Sequence, residues 1–98
     1  MNQGNFYNWN TYIRKSDGKK CEAIGFTGRN IDKIRSLEAT KYRFKMEILE
    51  DDNGLIIRNV DGSTPLHLNH QDWLVWDGEE FSVWNSQSFG SAFISEVQ

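Results

Sequence analysis

Hydrophobic and polar residues alternate most cleanly over residues 41–48, where Tyr42, Phe44, Met46 and Ile48 are interleaved with Lys41, Arg43, Lys45 and Glu47. A period of two puts the four apolar side chains on one face of an extended chain, so this segment predicts a half-buried strand. Asp51-Asp52-Asn53-Gly54 follows, and its Asn-Gly pair is a strong hairpin signal, with residues 55–60 as the returning strand. A further turn at Asp61-Gly62 leads to Pro65 at the start of another strand. Proline has no N–H to give a neighbour, so that strand belongs at an edge or a bulge. Near the start of the chain, residues 11–14 and 20–26 flank Ser16-Asp17-Gly18-Lys19 and predict another hairpin.

The period changes after Thr27-Gly28-Arg29-Asn30. Ile31, Ile34 and Leu37 recur at helical spacing, with Asp32, Lys33, Arg35 and Glu38 turned outward. Asn30 is placed to cap this helix, which is expected over residues 30–39. A helix so short does not hold alone in water, so its apolar stripe must lie on a sheet. Near the C-terminus, residues 72–76 and 79–84 flank Asp77-Gly78, which predicts a third hairpin around a two-residue turn. That register pairs Trp76 with Glu79 and Leu74 with Phe81. It places Leu74, Trp76, Phe81 and Val83 on one face and Trp73, Val75 and Trp84 on the other. In the tail, Phe89 and Phe93 are one helical turn apart, which suggests a short final helix capped by Ser86 or Ser88 and weakened by Gly90.

The pattern as a whole is that of an α+β protein. It predicts mainly antiparallel sheet built from hairpins, one short amphipathic helix packed on it and a short C-terminal helix. Residues 1–98 form one domain, with residues 1–10 as an N-terminal arm carrying Phe6, Tyr7 and Trp9. A hairpin that is apolar on both faces must be covered on both sides. The Trp73, Val75 and Trp84 face is therefore an interface candidate, to be covered by the arm, by a second copy in a homodimer or by a partner.

Composition supports a soluble chain with a modest core: 38% of residues are hydrophobic, and thirteen aromatics, four of them Trp, supply large area per residue. No apolar run approaches the roughly 18 residues of a membrane span. The opening Met1-Asn2-Gln3-Gly4-Asn5 lacks a signal-peptide layout, so the expectation is a cytoplasmic protein with no membrane partner. Cys21 is the single cysteine, which excludes an internal disulfide framework, and its alternating context marks it as a small buried hydrophobe. Net charge is −3, yet residues 1–45 hold ten of the eleven cations and residues 46–98 hold ten of the fourteen acids. Either the strands of the two halves interleave and mix these charges, or the acidic half faces a charged partner. Asp51, Asp52, Glu79 and Glu80 are the docking candidates on the second reading.

Candidate chemistry is sparse. His67 and His70 with Asp72 are the residue types of a metal site, but residues three apart on a strand point to opposite faces. Asp51-Asp52-Asn53-Gly54 lacks the ligand spacing and closing Glu of a calcium loop. Glu79-Glu80 and the pair Asp72 and Asp77 sit in turn settings that favour solvation. Nucleophile-elbow, phosphate-loop and dinucleotide signatures are missing. The expectation is a non-enzymatic protein with no metal and no cofactor. Lys41, Arg43 and Lys45 alternate with Tyr42 and Phe44, whereas a single-strand binder needs cations and aromatics on one accessible face, so direct nucleic-acid binding is not expected.

The stretch from Cys21 to Ile34, with Ala23-Ile24-Gly25-Phe26-Thr27-Gly28-Arg29-Asn30 at its centre, resembles a family of small bacteriophage and prophage proteins. These open on Ala-x-x-aromatic-Thr-Gly-x-Asn followed by a helix, then carry Gly-Asp-Tyr-Ile, a turn, Gly-Glu-Phe and a Phe-containing terminal helix. Asp72-Trp73-Leu74-Val75, Gly78-Glu79-Glu80-Phe81 and Ser88-Phe89 occupy those places, with Gln71 where the pattern has Gly and without its proline-rich start. The resemblance covers residues 20–94. It implies phage origin and a sheet with a helix packed on it, and it brings no catalytic residues.

The function expected from size and resemblance is that of a phage accessory protein acting in the host cytoplasm. It would bind and inhibit a host protein or defence system, an anti-CRISPR role being one form and a nuclease or nucleic-acid-binding complex one kind of partner. The alternatives are a protein that sequesters a signalling nucleotide in a pocket of Trp and Arg, and a structural or assembly part of the phage particle.

Overall fold

Backbone pairing sorts the strands into two antiparallel sheets. The computed structural model describes residues 9–35, 46–52, 54–59 and 65–96. In chain order the elements are β1 (Asn10–Arg14), β2 (Lys20–Gly25), α1 (Ile31–Arg35), β3 (Met46–Asp51), β4 (Gly54–Asn59), β5 (Leu66–Asn69), β6 (Trp73–Trp76), β7 (Phe81–Trp84), α2 (Ser86–Ala92) and β8 (Phe93–Ser95). One sheet has five strands in the order β7-β6-β2-β1-β8, and the other has three in the order β3-β4-β5. Mainly antiparallel sheet with two short helices is the α+β fold expected from the hairpins.

The first core lies between the sheets. Ile24 and Leu74 are opposite each other on β2 and β6 and are wholly buried, as are Phe26 just beyond β2 and Ile34 on α1. From the small sheet come Ile48, Leu55, Ile57 and Leu68, all at most 2% exposed. Burying each such side chain contributes about 1.5–3 kcal/mol before the entropy of ordering it is subtracted. Arg35 Nη1 donates to the Ile48 carbonyl at 3.2 Å and ties α1 to β3. Trp9 Nε1 donates to the Lys33 carbonyl at 3.3 Å. Ile34 thus has the core role its spacing predicted, whereas Leu37 and the strand residues 41–45 lie outside the described residues, as do Phe6 and Tyr7.

The second core lies on the other face of the five-stranded sheet, around Cys21, Ala23, Val75, Phe89 and Phe93, with Tyr12, Trp73 and Trp84 packed against it. Its lid is the chain's own C-terminal segment. α2 lays Phe89 on the sheet, and β8 pairs with β1 through Tyr12 and Ser95, Ile13 and Ile94, and Arg14 and Phe93. The final helix is therefore shorter than expected. Phe93 leaves it with φ −130° and ψ 150° and begins a strand, because β1 has a free edge that can satisfy its backbone groups. The cap is Asn85, whose side chain accepts from the Ser88 N–H at 2.8 Å, not Ser86 or Ser88.

Two turns also differ from their expected form. The β6–β7 register pairs Trp76 with Phe81, Leu74 with Val83 and Trp73 with Trp84, which makes the loop four residues long. A two-residue turn of the expected type needs positive φ at both positions, and here Gly78 has it (+97°) while Asp77 does not. Asp77 Oδ1 instead accepts from the N–H groups of Glu79 and Glu80, both at 2.9 Å. The shift is two residues, so every side chain keeps its predicted face. At β3–β4, Asp51 pairs with Gly54. A Cβ on Gly54 would lie 2.1 Å from the Leu68 carbonyl oxygen, so glycine is required there by the close approach of β5. Pro65 precedes β5, which is an edge strand as the proline implied.

Candidate functional site

At the end of β2 and the start of β6 lies a cavity of about 530 Å³. Gly25, Phe26 and Thr27 form one wall at the end of β2, Gln71 and Trp73 form a second at the start of β6, and Ser86, Phe89 and Gly90 form the third on α2. The sequence builds each wall for a local reason. Phe26 continues the β2–β6 ladder past its last strand residue: its N–H donates to the Asp72 carbonyl at 2.9 Å and its carbonyl accepts from the Gln71 N–H at 2.7 Å. Beyond it, Thr27-Gly28-Arg29-Asn30 is a closed hydrogen-bonded turn. Asn30, 6% exposed, accepts on Oδ1 from Thr27 N–H (3.0 Å) and Thr27 Oγ1 (3.2 Å) and donates from Nδ2 to the Gly25 carbonyl at 2.8 Å. Thr27 Oγ1 also accepts from the Arg29 N–H at 3.1 Å. Asn30 does stand before α1, where a cap belongs, but these bonds make it above all the brace of the turn that fixes Thr27.

The second wall is held in an uncommon backbone conformation. Gln71 has φ +76°, the one positive value found at a described non-glycine residue. This is the position at which the phage-protein pattern carries Gly, a residue that adopts such a φ without strain. Ser86 Oγ donates to the Gln71 carbonyl at 2.7 Å and fastens the start of α2 to this turn. Nearby, the Asp72 carboxylate accepts from the Asn69 N–H at 3.0 Å.

The floor is aromatic. Trp73 and Phe89 stack with centroids 4.0 Å apart and planes within 3°, and Phe89 lies nearly parallel to Phe93 at 4.8 Å. Tyr12 meets Trp73 and Phe89 edge-on at 5.7 and 5.0 Å, and Trp84 meets Phe93 edge-on at 5.1 Å. Offset stacks and edge contacts match the quadrupoles of the rings. None of the eight lining residues carries an ionisable side chain. Cys21, in the same aromatic core, is 2% exposed, and burial pushes its thiol above the usual range.

The interface candidates separate. Val75 is 1% exposed, and Trp73 and Trp84 are half-buried against Phe89 and Phe93, so this face is covered from within the chain. Trp9, the described part of the arm, packs against the other core. The Trp84 indole N–H is satisfied by Ser82 Oγ at 2.9 Å. Asp52 is exposed beside the end of β3, where Asp51 is the last strand residue, and Gly54 pairs there with Asn69 at the cavity end of β5. Glu79 and Glu80 are exposed in the β6–β7 loop, at the far end of β6, away from Asp52 and from the strand position of Asp51.

Charges of the two halves mix there. Arg14 reaches Asp77 at 3.6 Å and Lys20 reaches Glu96 at 2.7 Å. Arg14 also bonds Asp17, whose carboxyl is held down at about 2 by that contact and by the Lys19 N–H. Burial raises the Asp77 pKa, but the N–H groups of Glu80 and Glu79, with Lys19 and Arg14, outweigh it and leave the group below its usual value.

His67 and His70 are exposed, with the His70 ring edge-on to Phe26 at 5.4 Å. Among the described residues no three His, Cys, Asp or Glu side chains gather to hold a metal ion, and no helix is long and apolar enough to cross a membrane. The cavity residues Phe26, Thr27, Gln71, Ser86, Phe89 and Gly90 were not among the interface candidates. Two features noted in the sequence fall at this place: glycine inside a short helix at 90, and glutamine at 71 where the resembled pattern has glycine. No family model, curated protein or solved structure matches the chain.

Proposed function

We propose that this protein is a non-enzymatic binding protein, a phage accessory protein by its resemblance, and that its binding element is the cavity between β2, the turn before β6, and α2. The observation that supports this is the cavity's construction: an aromatic floor, a hydroxyl and amide rim, and no acid or base among its walls. Small-ligand sites share this design, being mostly apolar with a few placed polar groups. Reading the protein as an acidic docking surface draws less support, since Asp51 and Asp52 are separated from Glu79 and Glu80 and the cations of the first half neutralise part of the second. A nucleotide sponge would need a cation facing phosphate, and none lines the cavity. Inhibition of a host process is then exerted by withholding or presenting what the cavity holds.

The test is a comparison of two immobilised proteins, wild type and Gly90→Leu, exposed to the same bacterial lysate. Gly90 lines the cavity and a Cβ there meets nothing within 4 Å, so leucine is expected to be tolerated by the fold and to narrow the opening. The expected result is a molecule retained by the wild type and lost from the variant. Identical retained material from both would overturn the assignment of the cavity.

A further inference from the structure

Resting on the cavity as the binding element, we infer that its ligand class is an uncharged aliphatic small molecule, held by burial of its hydrocarbon part and not by hydrogen bonds to the walls. Size comes first. A volume of about 530 Å³ lies within the range of roughly 300–1,000 Å³ that encloses a small organic ligand. Its inner walls are dry: Phe26 and Phe89 are 1% and 5% exposed, and Gly25 beside them is buried.

The chemistry follows from how the polar groups of the walls are already engaged. The Gly25 carbonyl accepts from Asn30 Nδ2, and the Thr27 N–H donates to Asn30 Oδ1. The Thr27 hydroxyl donates to that same oxygen and accepts from the Arg29 N–H. Phe26 has both backbone groups bonded, its N–H to the Asp72 carbonyl and its carbonyl to the Gln71 N–H. The Gln71 carbonyl takes the proton of the Ser86 hydroxyl. A donor or acceptor carried into this space would leave water and find these partners taken, and a buried group without a partner costs affinity. An ion fares worse, since no lining residue has an ionisable side chain to face it.

The rings decide between flat and aliphatic. Trp73 and Phe89 lie against each other at 4.0 Å, and Phe89 also stacks on Phe93 at 4.8 Å. Those ring faces serve the core and leave a planar ligand no stacking surface. Methyl and methylene groups need neither a partner nor a flat face, only removal from water. An alkyl group is therefore the chemistry these walls accept.

The experiment is a titration of the ¹⁵N-labelled protein with the primary alcohols butanol, hexanol and octanol, and with the octanediol that has a hydroxyl at both ends. The amide signals of Gly25, Thr27 and Gly90 report on the cavity. The expected result is saturable shifts at these positions, with affinity rising about fourfold for each added methylene. The diol must bring one hydroxyl inside and should bind about tenfold more weakly than octanol. Equal affinity for diol and octanol would overturn the aliphatic class and leave the cavity standing as a binding site. Equal shifts at Leu49 and Ile94, the large apolar side chains exposed elsewhere (39% and 45%), would mark general coating and overturn the inference. Sedimentation with phosphatidylcholine vesicles, without shifts from dissolved octanol, would assign the chain to a membrane lipid and overturn the small molecule. Silence from every probe overturns the ligand class too, and the lysate comparison with Gly90→Leu then decides the cavity separately.

Discussion

The two faces of the five-stranded sheet solve the same problem with different materials. One face is closed by a second sheet and α1, and its centre is aliphatic, with Ile24, Ile34, Leu68 and Leu74 wholly buried. The other is covered by the seven-residue helix α2, and its centre is a stack of rings of which Trp73 and Trp84 are only half-buried. Interdigitated aliphatic side chains leave few voids. Rigid rings under a short lid leave one, at the end where the lid is tied down by Ser86 and Gln71. The two faces therefore differ in closeness of packing: the first is filled by aliphatic side chains, and the second has spare volume at one end.

The largest effect expected is at Ile34. Ile34→Asp buries an unpaired charge in the aliphatic core and should cost upwards of about 4 kcal/mol, enough to lose the cooperative melting transition. An unchanged transition would show that α1 is not part of that core.

Phe89→Ala should cost about 3 kcal/mol and affect one face only. Hydrogen exchange should accelerate in α2 and β8 while β3 to β5 keep their protection. Uniform acceleration would mean that the two cores fail as one and that the division is false. Trp84→Ala removes a ring that is half-buried and edge-on to Phe93, so about 2 kcal/mol is expected, with the solution mass unchanged. A fall in solution mass would instead restore this face as a contact between copies.

Gly90→Ala should raise stability by about 0.5–1 kcal/mol through helix propensity, read from denaturant unfolding. The smallest effect expected concerns acid. Asp17 and Asp77 titrate below their unfolded values, so their contribution is complete above about pH 4 and fades as pH falls toward 2. Asp77→Asn keeps an acceptor for the loop amides but removes the charge, and it should flatten the fall of melting temperature over that window. An identical acid profile in the variant would take Asp77 out of the balance.

Local pattern was a good guide wherever one strand's alternation or one helix's spacing decided the outcome. Ile48, Ile34, Leu74 and the edge position of β5 were all legible in that way, whereas Val75, expected at an interface, is buried in the second core. The β6–β7 register was two residues off, yet the faces survived because the strand period is also two. Partnership between distant segments was not legible. Nothing near Phe93 says that β1 has an open edge for it, so the strand β8 and the covering of Trp73 and Trp84 were missed. The cavity was hidden for the same reason, since its walls come from residues 25–27, 71–73 and 86–90 and only the fold assembles them. Two residues noted in the sequence do fall in its walls, Gly90 as a weak point of the final helix and Gln71 as a departure from the resembled pattern.

The pairing of Tyr12 with Ser95 has a consequence for how the chain is made. A ribosome delivers β1 early and its outer neighbour very late. From the arrival of Trp84 until residues 85–95 follow, Tyr12, Cys21, Trp73 and Trp84 would form an uncovered apolar surface on a sheet with an open edge, the kind of intermediate that sticks to its neighbours. Loop closure over so long a stretch is slow, which sets the pace of the final docking step. Yield in the cell should therefore depend on how quickly residues 85–95 arrive and on what holds the surface until then.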